Sequence, residues 1–268
     1  MITCDVLGHG PANNGLGNQM FAIATTLSLA IDNNDVAVFP DLNEPHYNFY
    51  ARTIFHKLDT GINKNFVQNH YKERPYTSTI YEKIPYQENL CISGHFQSYK
   101  YFDQNKDKIK QIFTLPEFLT ESIEEKFFDI IDSDNSVSIH IRRGDYLDLK
   151  GHYAFLDEEY YRQALDIIKD YSKIVVFSDD IEWCKNVSLF KNKQVLFIEN
   201  QLDIIDLYLM SRIKNNIIAN STFSWWAAFL NCNENKKVIA PLKWFGPKRS
   251  RDNIKETKDL MPPSWNRI

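Results

Sequence analysis

Cysteine is scarce in this sequence, and its placement excludes two structural devices. Cys4, Cys91, Cys184 and Cys232 are the only four in 268 residues, with no CxxC pair and no histidine at ligand spacing. Neither a zinc site nor a disulfide framework fits such spacing, and free thiols suit a reducing cytoplasm. An excess of positive charge is also missing. Lys and Arg total 31 against 35 Asp and Glu, a net charge of -4, so no global attraction to nucleic acid or acidic lipid is expected. Any anion site must therefore be local. No uncharged apolar run reaches membrane-spanning length. No signal peptide is expected either, since Met1 to Leu7 is short and carries Asp5. Internal repeats and low-complexity segments are absent.

What the chain does have is an ordinary soluble composition, 43% hydrophobic and 25% charged, enough for one large domain or two smaller ones. Aromatics make up 14%, which fits a sugar-handling protein but is more commonly the mark of a large core. Asn186-Val-Ser and Asn220-Ser-Thr match the glycosylation pattern, which has no meaning in a cytoplasmic protein.

The apolar spacing predicts alternating strands and helices. Ile2 to Leu7 reads as a strand, followed by a Gly, Pro and Asn-rich loop over 8–18, a helix over Gln19 to Ile31 and a strand over Val36 to Phe39. Residues 41–90 are polar, aromatic and without a clear pattern. Leu90 to Gly94 reads as a strand, and helices are expected over Asp103 to Phe113 and Glu121 to Ile131. The turn at 132–136 is the best boundary. Beyond it, strands are expected over 137–141, 174–177, 195–198, 217–219 and 237–240. Helices are expected over 157–170, 181–185, 203–212 and 223–230. Repeated β-α units of this length predict parallel sheet covered by helices.

Four predicted strand ends carry chemistry, and ligands of alternating α/β proteins bind at such ends. The first is His140-Ile-Arg-Arg-Gly-Asp-Tyr146. Its two guanidinium groups suit the oxygens of a pyrophosphate, each with a rigid donor fork and a permanent charge. A solvated strand end, its arginines paired with Asp145 or Asp148, is the rival reading. The second is Gly15-Leu-Gly-Asn-Gln-Met-Phe21, whose glycines permit close backbone approach and whose Asn18 and Gln19 offer amides near a helix N-terminus. A glycine turn with an Asn helix cap explains it equally well.

The third strand end is Phe177-Ser-Asp-Asp180. It is either a helix cap made by Ser178 or Asp179 or a hydroxyl and carboxylate at a ligand crevice. The fourth is Asn220-Ser-Thr-Phe-Ser-Trp-Trp226. Hydroxyls at Ser221, Thr222 and Ser224, beside free backbone N–H groups, make a phosphate cradle; an ordinary N-cap with core tryptophans is the alternative. Asp132-Ser-Asp134 matches a loose metal-binding pattern, but it precedes a strand and reads as a turn. No metal is expected, and Arg142 or Arg143 takes the electrostatic role a metal would have.

Together these stretches resemble the α-1,2-fucosyltransferases of glycosyltransferase family 11. The matches are GLGNQMF at 15–21, GHFQS at 94–98, HIRRGDY at 140–146, FSDD with a following Trp at 177–183, DLYLMS at 206–211 and NSTFSWWAA at 220–228. HxRRxD is shared with α-1,6 and protein O-fucosyltransferases, whereas GLGNQMF and NSTFSWW narrow the likeness to the α-1,2 group. The segment Gly8 to Asn14 is a departure, and residues 41–90 match nothing specific.

The resemblance implies a GT-B architecture, two Rossmann-like domains facing across a cleft. Residues 1–132 form the acceptor-side domain and 133–268 the GDP-fucose domain, with the last residues packing back on the first. It implies inverting, metal-independent transfer of L-fucose from GDP-β-L-fucose to the 2-hydroxyl of a terminal galactoside, with no cofactor. Arg142 contacts the diphosphate, Arg143 contacts it or braces the loop, and His140 lies near the nucleotide. Ser178, Asp179, Ser221, Thr222 and Ser224 are expected on the donor, with Asn18 near the fucosyl diphosphate. Gln19 and Gln97 are expected on the acceptor side. Asp145 is either the base that takes the acceptor proton or the brace of an arginine.

The alternatives are a fucosyltransferase of α-1,6 linkage and a non-catalytic nucleotide-sugar-binding module. Expected partners are GDP-fucose and a galactose-ended oligosaccharide or lipid-linked glycan, with no nucleic acid. The expected location is the cytoplasm, at the inner membrane face if Lys243, Lys248, Arg249 and Arg251 touch lipid headgroups rather than forming a solvated loop.

Overall fold

A computed structural model describes residues 1–5, 15–44, 48–73, 79–131, 135–149, 151–249 and 256–268. The chain divides into two compact units. Unit 1 is Met1–Thr120 with Glu256–Met261, and unit 2 is Glu121–Lys255 with Pro262–Ile268. The Gly8 to Asn14 segment and Asp132-Ser-Asp134 lie outside the described residues.

Unit 1 contains β1 (Ile2–Cys4), α1 (Leu16–Asp32), α2 (Asn48–Ala51), β2 (Asn69–Lys72), β3 (Leu90–Ser93) and α3 (Lys106–Ile112). Its described strands form a parallel sheet in the order β1-β3-β2. Parallel strands need a long connection between neighbours, and residues 73–89 separate β2 from β3. The predicted strand over 36–39 contributes a single bridge, Ile2 to Ala37. α1 buries Met20, Phe21, Ile23 and Ala24, and Phe21 packs on Phe102 with ring centroids 5.9 Å apart. The segment Glu256–Met261 joins this unit through Asp259: the Ser98 hydroxyl donates to its carbonyl at 2.7 Å, and Lys100 pairs with its carboxylate at 2.6 Å.

α4 (Glu117–Lys126) spans the division, and α5 (Phe128–Ile131) follows it in unit 2. Tyr208 donates to Glu124 at 2.5 Å, and Lys173 donates to the Asp129 carbonyl at 2.9 Å. These bonds tie the helices to unit 2, whose first residue is Glu121.

The rest of unit 2 runs β4 (Ser136–Ile141), α6 (Gly144–Asp148), α7 (Glu158–Ile168), β5 (Lys173–Ser178), α8 (Ile181–Asn186), β6 (Val195–Phe197), α9 (Asp203–Arg212), β7 (Asn215–Ile217), α10 (Thr222–Leu230), β8 (Val238–Ala240) and β9 (Asn266–Arg267). The sheet is parallel throughout, in the order β6-β5-β4-β7-β8-β9. The tail therefore splits: 256–261 belongs to unit 1, while 262–268 adds the last strand of unit 2.

β4 is buried along its whole length, as a central parallel strand must be. Its side chains alternate between faces. Val137, Ile139 and Ile141 enter a core with Tyr161, Leu165 and Ile168 of α7. Ser138 and His140 face the other way. There the Asn216 amide donates to the Ser138 hydroxyl at 2.7 Å, and the His140 ring lies 5.7 Å from Phe223 of α10. α10 is nearly all buried, with Trp225 stacked on Phe229 at 5.1 Å and tilted against Trp265 at 5.3 Å. Each such aromatic removes roughly 200 Å² from water, an upper estimate of about 5 kcal/mol.

Candidate active site

The sheet order sets β5, β4 and β7 side by side, so their carboxyl ends open on one edge. β4 ends at Ile141, opposite Ser178 of β5. The two arginines that follow are held by different groups. Arg142 Nη2 pairs with Asp145 Oδ1 at 2.7 Å and its Nη1 with Asp179 Oδ2 at 3.1 Å, with 35% of its side chain exposed. Arg143 is only 14% exposed. Its Nε pairs with Asp180 at 3.1 Å, and its guanidinium lies over the Trp183 ring at 3.7 Å. Arg142 is thus the reachable cation and Arg143 the packed one.

Asp179 ties the two loops together. Its Oδ1 accepts the Arg143 backbone N–H at 2.8 Å while its Oδ2 pairs with Arg142. Gly144 makes this approach possible, since a Cβ there would stand 2.6 Å from Asp179 Oδ2. The α8 cap is neither Ser178 nor Asp179. Asp180 takes that place and accepts from the Trp183 N–H at 3.2 Å, while the Ser178 hydroxyl accepts from the Asp180 N–H at 3.0 Å.

Tyr146 of α6 extends the edge. The Arg142 guanidinium lies 5.6 Å over its ring, and that ring stacks on Tyr153 at 4.1 Å and 8°. The Tyr146 hydroxyl donates to the Asn220 carbonyl at 2.9 Å. Asn220 in turn donates its side-chain amide to the Trp244 carbonyl at 2.8 Å and the Ala154 carbonyl at 3.0 Å. The arginine loop and the start of α10 are therefore one connected structure. Arg249 covers Tyr153 and Phe245 at 5.4 and 4.5 Å and donates to the Tyr153 hydroxyl at 3.1 Å. Lys243 and Lys248 are exposed, and Arg251 lies outside the described residues.

Ser221 occupies the N-cap of α10 without a side-chain capping bond. Ser221 and Thr222 are half-buried, whereas Ser224 is fully buried and donates its hydroxyl to the Ser221 carbonyl at 3.3 Å. His140 is buried, and its Nδ1 has no hydrogen-bond partner among the described residues. Burial pushes its pKa down to about 4, with Asp179 and Arg142 acting in opposite senses, so the ring is neutral near pH 7.

In unit 1, Asn18 does not cap α1. The cap is Gly15, and Asn18 sits in the first turn, where its Oδ1 accepts from the Gln97 amide at 2.9 Å. Gln97 also lies 3.4 Å from His95 Nδ1. Gln19 is buried beside them in sequence.

One residue was not singled out from the sequence, although it lies in the DLYLMS stretch. Asp206, in the first turn of α9, has a buried carboxylate oxygen with no partner among the described residues. Burial, with Asp203 adding to it, pushes its pKa up to about 7. An acidic residue early in a helix is common, and only burial sets this one apart. Among the described residues no group of three His, Cys, Asp or Glu is arranged to hold a metal ion, and no helix is long and apolar enough to cross a membrane.

Comparison with known proteins points one way. The family model for glycosyl transferase family 11 matches residues 11–268. An α-1,2-colitosyltransferase of Escherichia coli is 32% identical over 286 residues, spanning 95% of this chain and 96% of the relative. Galactoside α-(1,2)-fucosyltransferase 2 of Hylobates lar is 28% identical over 252 residues, spanning 85% of this chain and 72% of the relative. Among solved structures, the Bradyrhizobium α-1,6-fucosyltransferase NodZ, co-crystallised with GDP, superposes with a TM-score of 0.58 at 14% identity, covering 85% of this chain and 92% of that one. At that identity the likeness is one of fold, the α/β architecture of GT-B-like fucosyltransferases.

Proposed function

The chain belongs to glycosyl transferase family 11, and from that membership we propose that this glycosyltransferase moves L-fucose from GDP-β-L-fucose to the 2-hydroxyl of a terminal galactoside. The observation that carries the reading is Arg142. It is a half-exposed guanidinium at the carboxyl end of the central strand, steered by Asp145 and Asp179 and joined through Tyr146 to the start of α10.

Unit 2 is the donor side in this reading. The acceptor hydroxyl oxygen attacks the anomeric carbon, the bond from that carbon to the β-phosphate oxygen breaks, GDP leaves with inversion, and the hydroxyl proton passes to solvent water. Negative charge grows on the diphosphate during this step. Arg142, with the N–H groups and hydroxyls at Ser221 and Thr222, stabilises that charge without a metal, a donor of this kind typically contributing about 3 kcal/mol. Arg143 braces the loop through Trp183 and Asp180. Asp145 steers Arg142, which already occupies one of its oxygens. Guanine presents an N1–H and an amino group side by side, and a carboxylate is the acceptor that suits both. Asp206 at the start of α9 is the carboxylate with an unpartnered oxygen, and neutral His140 lies at the carboxyl end of β4.

Unit 1, with Asn18, Gln19 and Gln97, is the acceptor side. A second reading, transfer of colitose, draws support from the Escherichia coli relative. One experiment separates the two. GDP-fucose and GDP-colitose are supplied with an array of galactosides in EDTA, and the linkage of the product is analysed. An α-1,2-fucosyl product is expected. Turnover of GDP-colitose alone, an α-1,6 product, or activity only with added divalent metal overturns the corresponding part of the proposal.

A further inference from the structure

Glu73 has no part in the site described so far, yet its carboxylate is buried. It follows β2 directly, and its backbone N–H donates to the Ser93 carbonyl at 2.9 Å, which sets it beside the strand end that leads to Gly94. Only 3% of it is exposed. Its Oε2 accepts the backbone N–H groups of both His95 and Phe96, at 2.8 and 3.0 Å. Its Oε1 is buried with no hydrogen-bond partner, and no Lys or Arg pairs with it among the described residues. Burying a carboxylate without a cation is strongly unfavourable.

The local backbone is shaped around this side chain. A Cβ on Gly94 would stand 2.5 Å from Glu73 Cβ and 2.8 Å from Oε2, so no larger residue fits. Phe96 takes a positive φ of 47°, a conformation that costs a bulky side chain free energy. The two N–H groups that Glu73 Oε2 accepts are that strained residue's own and that of His95 before it. Directly after it comes Gln97, whose amide reaches Asn18 at 2.9 Å and lies 3.4 Å from His95 Nδ1. The carboxyl ends of β2 and β3 and the first turn of α1 thus meet in one chain of polar groups, Glu73 to His95 to Gln97 to Asn18.

We propose that Glu73 is the positioning residue of a sugar subsite in unit 1: by bonding the His95 and Phe96 N–H groups it fixes the strained turn that presents His95 and Gln97 beside Asn18. An imidazole and two side-chain amides in line offer alternating donors and acceptors, the pattern that matches neighbouring hydroxyls of a pyranose. The inference rests on the reading of unit 1 as the acceptor side, and it adds the residue that builds that side.

The test uses Glu73→Ala, Glu73→Gln and Gln97→Ala in the full chain. Galactoside binding is followed by ligand-observed NMR without donor, GDP binding by calorimetry, and acceptor KM and kcat by GDP release. Glu73→Ala is expected to raise acceptor KM by about tenfold or more, to change GDP affinity little, and to speed amide exchange at His95 and Phe96. Glu73→Gln keeps an oxygen for both N–H groups and should restore most of the affinity. Gln97→Ala should match Glu73→Ala, and the double variant should be no worse than either single one. A folded Glu73→Ala with normal galactoside binding overturns the inference. So does a Glu73→Gln protein that keeps slow exchange yet binds galactoside as poorly as Glu73→Ala, since the carboxylate would then touch the sugar itself. If Glu73→Ala does not fold, normal acceptor KM in Gln97→Ala overturns it instead. Failure of the wild-type chain to transfer any sugar counts against the proposed function, while the binding and exchange measurements still decide the role of Glu73.

Discussion

Asp179 and Arg142 meet at 3.1 Å, and the second oxygen of the same carboxylate holds the Arg143 backbone at 2.8 Å. A diphosphate approaching Arg142 therefore meets a guanidinium already aimed by two carboxylates. Replacing Arg142 with Ala should cut kcat/KM by about 10²–10³-fold, with circular dichroism unchanged because the side chain is half-exposed. Near-normal turnover in a folded variant would remove Arg142 from the reaction.

Asp145 gives a sharper contrast. As a brace of Arg142 it should tolerate Asp145→Asn with a loss of about tenfold or less, since the amide oxygen still accepts from the guanidinium. A general base would cost about 10²–10⁴-fold and flatten the acidic limb of the rate profile. Measuring kcat against pH for both proteins decides between the two roles.

Arg143 should behave unlike its neighbour. Arg143→Lys keeps the charge but loses the 3.7 Å stacking on Trp183 and the fixed geometry toward Asp180. Thermal unfolding should show a loss of about 1–2 kcal/mol. GDP affinity, read by calorimetry, should change far less than in Arg142→Ala.

His140 makes stability depend on pH. Its pKa is about 4 in the folded chain and 6.5 when unfolded, so the unfolded state binds the proton more readily. The contribution is complete above pH 6.5 and is lost as pH falls through about 4. The 2.5-unit difference corresponds to on the order of 3 kcal/mol. His140→Phe should flatten the fall in unfolding free energy between pH 6.5 and 4; an unchanged slope would mean that the ring is not buried as a neutral group.

Much of this was readable from the residues alone. The helix at 203–212 and the strand after Asp132–Ser136 follow from apolar spacing, and the charged runs lie at strand ends as expected. The misreadings fall on polar residues, some buried and some on a sheet edge. β7 begins at Asn215 rather than at Ile217, because Asn215 and Asn216 are buried with their amides satisfied by Lys237, Ser138 and Met210. β2 has the sequence Asn-His-Tyr-Lys and escaped notice, since an edge strand with alternate residues half-exposed has no need of apolar alternation. Asp206 and Glu73 carry no local signal. Only tertiary burial, with the raised pKa it brings, distinguishes them from surface acids.

The assignment of Glu256–Met261 to unit 1 has a consequence for synthesis. Ser98 and Lys100 find their partner Asp259 at the far end of the chain. Unit 1 is translated first, yet on the ribosome it must wait, with the Asp259 bonds unmade, until all but the last strand of unit 2 has emerged. Its final closure and the pairing of β9 with β8 then follow within a few residues of each other, so the two units reach completion together although their synthesis is sequential.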